Sequence, residues 1–443
     1  MELKRQFGLW TAVVLIVGQV IAVGIFLTPA GMAKSVGSPF WLLLIWLVTG
    51  AMTLSGALCY GELAARYPHA GGTYVYLREA YGRLAAFLYG WMVLLVLDPG
   101  LTAVFGVGVA AYTGYLIPIT PAGRQILAIS VILLIGTINI LGAKIGAGIL
   151  KALTVLKISA LVFIVAYGFG GRLGNFSNFT PFFALPTNMF GALAGGLVGA
   201  FFAYAGWWEM TRLAGEIDNP KRNVPRALVI GVLIITALYI STSAAFMYLV
   251  PLGNVTNDET FAAQAGEVLF GPAGGYIFSI VVIISLLGTL FAYMMVSPRV
   301  YFAMAQDGLF FPAFGKLHPR FGTPHRATYV QMVIAGLLVL SGSFNQIISY
   351  FFFVVVLFVG FAVAGLFRIR KQPFDGYKTP LFPVLPIFFL VLTALVLFFI
   401  VMGGPVNAAA GVVVVLLGVP IYYLLFRSGN KKFGGNVVEY GED

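Results

Sequence analysis

Long apolar runs follow one another from end to end of the chain, and they constrain its fold more than any other feature. Runs of around 20 residues or more recur, enough to cross about 30 Å of hydrocarbon at about 1.5 Å of rise per residue. Only 9% of the 443 residues are charged, whereas an ordinary soluble domain carries roughly 25%. Such a chain cannot cover a water-exposed surface, so we expect an all-α polytopic membrane protein.

The apolar runs predict twelve transmembrane helices. They lie at residues 9–33, 40–62, 84–117, 124–142, 149–170, 188–213, 226–250, 272–298, 327–343, 345–367, 380–402 and 405–426. The third run is longer than one span requires, so we expect an extracellular turn or a tilted helix within it.

The distribution of basic residues along the chain agrees with a cytoplasmic N-terminus. A net charge of +11 would point to nucleic acid in a soluble protein. With a cytoplasmic N-terminus, however, only Lys34, Arg124 and Arg172 fall outside, Lys157 lies within a span, and the other 22 of the 26 Lys and Arg residues lie inside. We therefore expect a multi-pass protein of the cell membrane with both termini cytoplasmic, in contact with lipid and not with nucleic acid.

Two predicted spans are interrupted by glycine. The first contains "GQVIAVG" at Gly18–Gly24, and the sixth contains "FFAYAGWWEM" with Gly206 in its middle. Broken segments five spans apart are typical of transporters built from inverted five-helix repeats, with the site near the bilayer midplane. The single transporter domain (1–443) then divides into repeats 9–170 and 188–367, two accessory helices at 380–426 and a cytoplasmic tail at 427–443.

Unwound backbone in lipid exposes polar groups that cost several kcal/mol each unless they are satisfied. A zwitterionic substrate can satisfy them, because half-helix N-termini favour a carboxylate and half-helix C-termini favour an ammonium. We place the carboxylate at the amides of residues 22–24 and the ammonium at carbonyls of both breaks. The expected binding residues are Val20, Ile21, Ala22, Val23, Gly24, Phe202, Ala203, Ala205 and Gly206. The alternative is that the glycines serve close helix packing.

Several motifs, in order along nearly the whole chain, carry a family resemblance. They are "GIFLTPAG", "GALCYGELAARYPHAGGTYVYLREAYG", "NILGAKIGAGILKALTVLKISAL", "FFAYAGWWEM", "GEIDNPKRNVPRAL" and "SPRVYFAMAQDGLFFPAF". The chain thereby resembles the amino acid, polyamine and organocation (APC) transporter superfamily, most closely its L-type amino acid transporter branch. The resemblance implies a LeuT-like fold of five plus five inverted helices with two appended, and transport by alternating access.

The resemblance also implies roles for single residues. Phe202 is similar to the aromatic residue that closes over substrate from the outside, and Trp207 matches the second broken segment, so we expect both at the gate. Lys157 is similar to the lysine of span five that contacts span one. The chain departs from the family where Ala22-Val23-Gly24 replaces Gly-Ser-Gly and where Trp208 replaces a common Asn.

Ionisable groups inside spans are costly to bury and therefore candidates for function. Lys157 could replace a sodium ion beside span one, titrate for proton coupling, or make a fixed structural contact. Asp98, next to Pro99, could face the cavity and select a polar or cationic side chain, pair with a buried cation, or bond freed backbone. Glu209 is stabilised by a half-helix N-terminus or serves proton coupling.

Ser285 and Thr289 lie on one face of span eight, four residues apart. Hydroxyl groups of this span help to bind sodium in coupled relatives of the fold. The same pair can instead bond back to its own helix. We expect no sodium site, because the Lys157 ammonium would compete for that position.

These features predict a secondary active transporter of amino acids, either an exchanger or a proton-linked permease. Alternatives are a sodium-coupled symporter, a carrier of amines or polyamines, and a channel. No acid, base, nucleophile or metal ligands converge in the sequence, so we expect neither an enzyme nor a cofactor or metal ion. Some eukaryotic L-type members attach to a heavy-chain glycoprotein through an external cysteine. Cys59, within span two, is the single cysteine, so we expect no such partner.

Overall fold

The chain folds into a bundle of helices in the computed structural model, which describes residues 4–22, 24–255, 260–341 and 344–427. Within these ranges the structure is helical apart from loops and one isolated bridge between Phe7 and Ile217. Val23 and the expected tail from residue 428 onward lie outside the described residues.

The α-helices are numbered here in chain order. They are α1 (Leu9–Val20), α2 (Gly24–Val36), α3 (Pro39–Arg66), α4 (Thr73–Tyr81), α5 (Arg83–Met92), α6 (Asp98–Leu116), α7 (Pro121–Ile140), α8 (Ala143–Gly170), α9 (Met189–Tyr204), α10 (Pro220–Leu249), α11 (Thr260–Phe270), α12 (Gly274–Val296), α13 (Pro298–Gln306), α14 (His325–Ser341), α15 (Phe344–Ile369), α16 (Val384–Gly403) and α17 (Pro405–Ile421). After α9 the chain forms a 3-10 helix at Trp207–Glu216, called the 3-10 segment below.

Ten helical stretches within the described residues are long and apolar enough to cross a membrane. They confirm an all-helical membrane protein. Two predicted spans fall short of the required length for different reasons. The first is divided between α1 and α2, of 12 and 13 residues, and the ninth corresponds to α14, of 17 residues.

The third predicted span is a continuous helical stretch from Arg83 to Leu116. Of the two alternatives for this span, the extracellular turn is therefore wrong, and the tilt stays a prediction. Instead, Val93–Leu97 forms a π-helical turn between α5 and α6, and the Asp98 amide donates to the Val93 carbonyl. Pro99 follows this turn and has no amide to continue the α-helical pattern. The wider turn thus accommodates the proline without breaking the span.

Helix packing brings the two predicted breaks side by side. The end of α9 packs against α2, while α1 packs against α8, α10 and α12. The 3-10 segment in turn contacts α1, α10 and α12. The two broken spans therefore lie side by side, packed against α8, α10 and α12, and the candidate site lies between the breaks.

Candidate binding site at two helix breaks

The first span is broken at the position that its glycines predict. α1 ends at Val20, Ile21 leaves the helical region with a ψ of 85°, and α2 begins at Gly24. Gly24 is required by close approach, because a Cβ built there would lie only 2.7 Å from the Ala203 Cα at the other break. The two interruptions are therefore in direct backbone contact.

The carbonyl groups freed at the end of α1 are bound by side chains of α8 and α12. Lys157 Nζ is fully buried and donates to the Gly18 carbonyl at 2.7 Å and to the Ile21 carbonyl at 2.6 Å. Thr289 Oγ1 lies 3.1 Å from Nζ and also reaches both carbonyls, and Ser285 Oγ donates to Ile21 O at 3.1 Å. Lys157 Nζ thus sits in a shell of neutral oxygens and contacts the first span, as the resemblance implies, while its role in the transport cycle stays a prediction.

The second break has a different backbone geometry. α9 ends at Tyr204, Ala205 is extended, and Gly206 adopts a φ of +103°. That left-handed conformation strains any residue with a side chain, which explains glycine at this position. The chain then continues as the 3-10 segment, which carries Glu209 and Arg212 into the protein interior.

Tyr239 of α10 contacts both breaks and was not among the residues predicted for the site. Its hydroxyl lies 2.9 Å from the Val20 carbonyl and 2.9 Å from the Ala203 carbonyl. A phenol has one proton, so it donates to one of these carbonyls at a time. The sequence feature that could have indicated Tyr239 is its polar hydroxyl in the middle of an apolar span. The other carbonyl keeps an acceptor position free for a second donor.

A cavity of about 70 Å³ lies between the breaks. The expected binding residues that line it are Val20, Ala22, Gly24, Phe202, Ala203, Ala205 and Gly206. The remaining wall residues are Gln19, Leu97, Leu101, Val104, Phe105, Trp208, Glu209, Tyr293, Phe352 and Val355. Ile21 contributes to the Lys157 shell rather than to the wall formed by the described residues. The wall is mostly apolar, with a few polar side chains.

Phe202 and Trp207, the two expected gate residues, lie in different places. Phe202 lines the cavity and meets Phe352 edge-on at a centroid distance of 5.4 Å. Trp207 is buried against Tyr60 and Phe389 and is outside the cavity wall that the described residues form. The geometry therefore suits Phe202 for covering a bound molecule and places Trp207 behind the break.

A buried charge cluster closes one side of the cavity. Asp98 Oδ1 accepts from Arg212 Nη1 at 2.9 Å and from Tyr293 at 2.7 Å, and Oδ2 accepts from Tyr301 at 2.6 Å. Glu209 Oε2 lies 2.5 Å from Arg212 Nε. All three charged side chains are at most 2% exposed. Asp98 thus pairs with a buried cation, one of the alternatives for it, and it faces Arg212 rather than the cavity.

Arg212, counted with the basic residues of the cytoplasmic side, is buried, because the 3-10 segment turns it into the protein interior. Glu209, three residues earlier, is both a cavity wall residue and its partner, and the Trp208 indole donates to Glu209 Oε1 at 2.7 Å. The local signal was an acid and a base three residues apart within a broken span.

The far end of the 3-10 segment is tied to the N-terminal arm. The amides of Gln6 and Phe7 donate to the Glu216 carbonyl at 2.9 and 3.1 Å. The Glu216 carboxylate accepts from Arg299 Nε at 2.8 Å. Like Arg212, Arg299 is buried although it was counted among the cytoplasmic charges. These contacts close the protein at the end of the bundle where the chain begins.

Comparisons with known proteins agree with this geometry. Residues 7–426 match the family model described as Amino acid permease. The chain is 30% identical to the serine/threonine exchanger SteT of Bacillus subtilis over 95% of this chain and 97% of that protein. It is 30% identical to the human large neutral amino acids transporter small subunit 2, covering 95% and 80% of the two chains. It is 28% identical to the mouse Asc-type amino acid transporter 1, covering 100% and 86%.

Proposed function

Since the chain belongs to the amino acid permease family of the APC superfamily, we propose that it is a secondary active transporter that moves amino acids across the cell membrane by alternating access. The observation that carries this proposal is the pair of adjoining helix breaks around one cavity. Both breaks leave backbone polar groups that a zwitterion can satisfy.

The charged ends of an amino acid match the two kinds of backbone group at the breaks. The carbonyls of Val20 and Ala203 share one hydroxyl proton of Tyr239, so an ammonium can bind the carbonyl left as an acceptor. Gly24 lines the cavity at the first turn of α2, where amides without intrahelical partners favour a carboxylate. A small zwitterion therefore finds complementary dipoles in the wall of one cavity.

The Lys157 shell favours an exchanger or a proton-linked permease over a sodium-coupled symporter. Carbonyl and hydroxyl oxygens at 2.6 to 3.1 Å surround Nζ, and oxygens of this type are the ligands that a sodium ion would need. Because the ammonium already holds this position, sodium would have to displace it. Sodium coupling remains the second candidate mechanism.

The proposed architecture has twelve spans and two inverted repeats, 9–170 and 188–367, followed by accessory helices at 380–426. Three pairs of helices five spans apart pack against each other, which supports two repeats related by a two-fold axis. The pairs are α3 with α10, α6 with α12, and α7 with α14. The distribution of basic residues supports cytoplasmic termini.

We propose that the chain acts without a disulfide-linked subunit. Cys59, its single cysteine, is fully buried in α3 and cannot reach a partner's thiol. The enclosed cavity between helices of one chain also favours a carrier over a channel, which needs a continuous polar pore.

Uptake of radiolabelled amino acids into proteoliposomes tests this proposal. We expect saturable uptake that depends on internal amino acid if the protein is an exchanger, or on an inward proton gradient if it is proton-linked. Replacing sodium by choline should leave the initial rate unchanged. Failure to transport any amino acid of a broad panel, with correctly inserted protein, would refute the proposal. Single-channel currents would indicate a channel instead.

A further inference from the structure

Gln19 stands out among the polar side chains of the cavity wall. It lies in the last turn of α1, is only 4% exposed and lines the cavity. Neither its Oε1 nor its Nε2 has a hydrogen-bond partner among the residues that the structure describes. The other polar wall residues are engaged, since Trp208 donates to Glu209, Glu209 pairs with Arg212, and Tyr293 donates to Asp98.

A buried amide with both ends unpaired is unfavourable. Each unsatisfied polar group costs about 1–3 kcal/mol in a protein interior, and lipid around the bundle supplies no partner. Most of the other wall residues, among them Leu97, Leu101 and Val104, are apolar and offer the amide no partner. The amide is therefore matched to a group that enters the cavity and offers both a hydrogen-bond acceptor and a donor.

The Gln19 side chain takes no part in the described hydrogen bonds that surround the freed carbonyls of the two breaks. The backbone carbonyls of Val20 and Ala203 meet at Tyr239, and the Gly18 and Ile21 carbonyls meet at Lys157. Gln19 takes part in neither set of described contacts. Its amide is thus free to contact the rest of the substrate, which in a cavity of about 70 Å³ is a short side chain.

We propose that Gln19 is a specificity residue that hydrogen-bonds the side chain of the transported amino acid, and that this side chain is short and carries a hydroxyl group. A hydroxyl donates one hydrogen bond and accepts others, so it satisfies both ends of the amide. A methyl group leaves both unpaired, and an ammonium offers donors alone. The inference rests on the proposed function, since it deepens the assignment of this cavity as the substrate site.

Competing uptake of L-serine, L-alanine and L-2,4-diaminobutyrate into proteoliposomes tests the proposal. For the unmodified protein we expect kcat/KM for serine to exceed that for alanine roughly tenfold, the value of one additional net hydrogen bond. In Gln19→Leu the serine value should fall to that of alanine, while alanine uptake changes less than about twofold. Retained alanine uptake shows that the variant is folded and that the cavity still accepts amino acids.

Gln19→Glu provides a second variant of nearly the same shape that offers acceptors but no amide donor. Serine should lose its advantage in this variant, and diaminobutyrate should gain relative to alanine. Thr242→Val is the matched control, because Thr242 is also buried with an unpaired hydroxyl among the described residues but lies in α10, outside the described cavity wall. It should keep the serine preference.

Several results would overturn the assignment. Equal kcat/KM values for serine and alanine in the unmodified protein would do so, as would a serine preference that survives Gln19→Leu. An equal loss of both substrates in Gln19→Leu would place the amide at the zwitterionic group. If the unmodified protein prefers diaminobutyrate, the cavity instead holds a subsite for cationic side chains. Absence of uptake for all amino acids would refute the proposed function itself, a different outcome from loss of selectivity.

Discussion

The two helix breaks differ in the groups that surround their unwound backbone. At the first break, the freed carbonyls are bound by side chains that other helices supply, namely Lys157 of α8 with Ser285 and Thr289 of α12. At the second break, the chain itself continues as the 3-10 segment and brings in Glu209 and Arg212. Arg212 pairs both with Glu209 and with Asp98 of α6. One break is surrounded by neutral dipoles and a single cation, and the other borders a set of ion pairs.

Because of this difference, we expect the two breaks to differ in how well each tolerates the loss of one side chain. Several donors reach the Ile21 carbonyl at the first break, so each can be lost without leaving it unpaired. At the second break, Arg212 is the cation that joins two buried carboxylates. Removing one partner of a buried ion pair is more damaging than replacing the whole set, because it leaves an uncompensated charge. We therefore expect stability to depend more on the second break and transport more on the first.

Arg212→Met should have the largest effect. It leaves Asp98 and Glu209 buried without their cation, at a cost of about 3–5 kcal/mol of stability. Thermal unfolding of the purified protein in detergent, followed by tryptophan fluorescence, measures the loss. The combined variant Arg212→Met, Asp98→Asn, Glu209→Gln should recover much of it, since no charge is then left unpaired.

Arg78→Met is the matched control for this prediction. Arg78 pairs with Asp307, but the two side chains are 22% and 11% exposed, so water can replace the partner. Its loss should cost about 1 kcal/mol or less. Equal melting temperatures for the Arg212 variant and the parent would contradict the proposed importance of the cluster.

Lys157→Ala should have the second largest effect, and it should impair transport more than folding. Ser285 and Thr289 still donate to the carbonyls of α1, so the break stays satisfied. The charge-assisted hydrogen bonds that fix its geometry are lost, and these are worth about 1.5–3 kcal/mol each. We expect initial uptake rates to fall roughly 10- to 100-fold.

Lys151→Ala controls for the loss of a lysine from the same helix, because Lys151 is exposed on α8. It should transport at the parent's rate. If the uptake kinetics of Lys157→Ala also match those of the parent, Lys157 has no part in the transport cycle. If the melting temperature of Lys157→Ala falls as far as that of Arg212→Met, stability does not depend more on the second break than on the first.

The sequence predicts the first break better than the second, for a physical reason. Gly18, Gly24 and Lys157 are costly in lipid, so their presence alone indicates an unwound helix and a buried cation beside it. Arg212 gives no such signal, because an arginine at the end of an apolar run usually reaches the interface. Its burial depends on the left-handed turn at Gly206 and on the 3-10 geometry that follows.

Other parts of the site depend on contacts between distant helices. Asp98 was identified as unusual, but its partners Tyr293 and Tyr301 are about 200 residues away in the chain and have no local pattern that links them to it. The π-helical turn before Asp98 was not predicted either, since the length of the third span indicated only an extracellular turn or a tilted helix. Hydrophobic runs predict spans well, whereas pairing across the bundle requires coordinates.

Tyr239→Phe should have an intermediate effect, because Tyr239 contacts both breaks. The ring can stay packed on Trp46 and Tyr204, so the variant loses only the hydroxyl, worth about 1 kcal/mol. We expect KM for amino acid uptake to rise roughly fivefold. Tyr204→Phe is the control, since the Tyr204 hydroxyl donates to the Trp46 carbonyl rather than to either break. An unchanged KM in Tyr239→Phe would show that the hydroxyl contact between the two breaks has no part in substrate binding.

Ser285→Ala should have the smallest effect, and it tests the redundancy at the first break directly. The Ile21 carbonyl loses one donor at 3.1 Å but keeps Lys157 at 2.6 Å and Thr289 at 3.2 Å. We expect uptake to change by about twofold or less when Lys157 is present. In a Lys157→Ala background the same substitution removes one of the two remaining hydroxyl donors, so its effect should exceed that in the parent. Equal effects of Ser285→Ala in both backgrounds would mean that the donors act independently, because only residues that share a partner show such coupling.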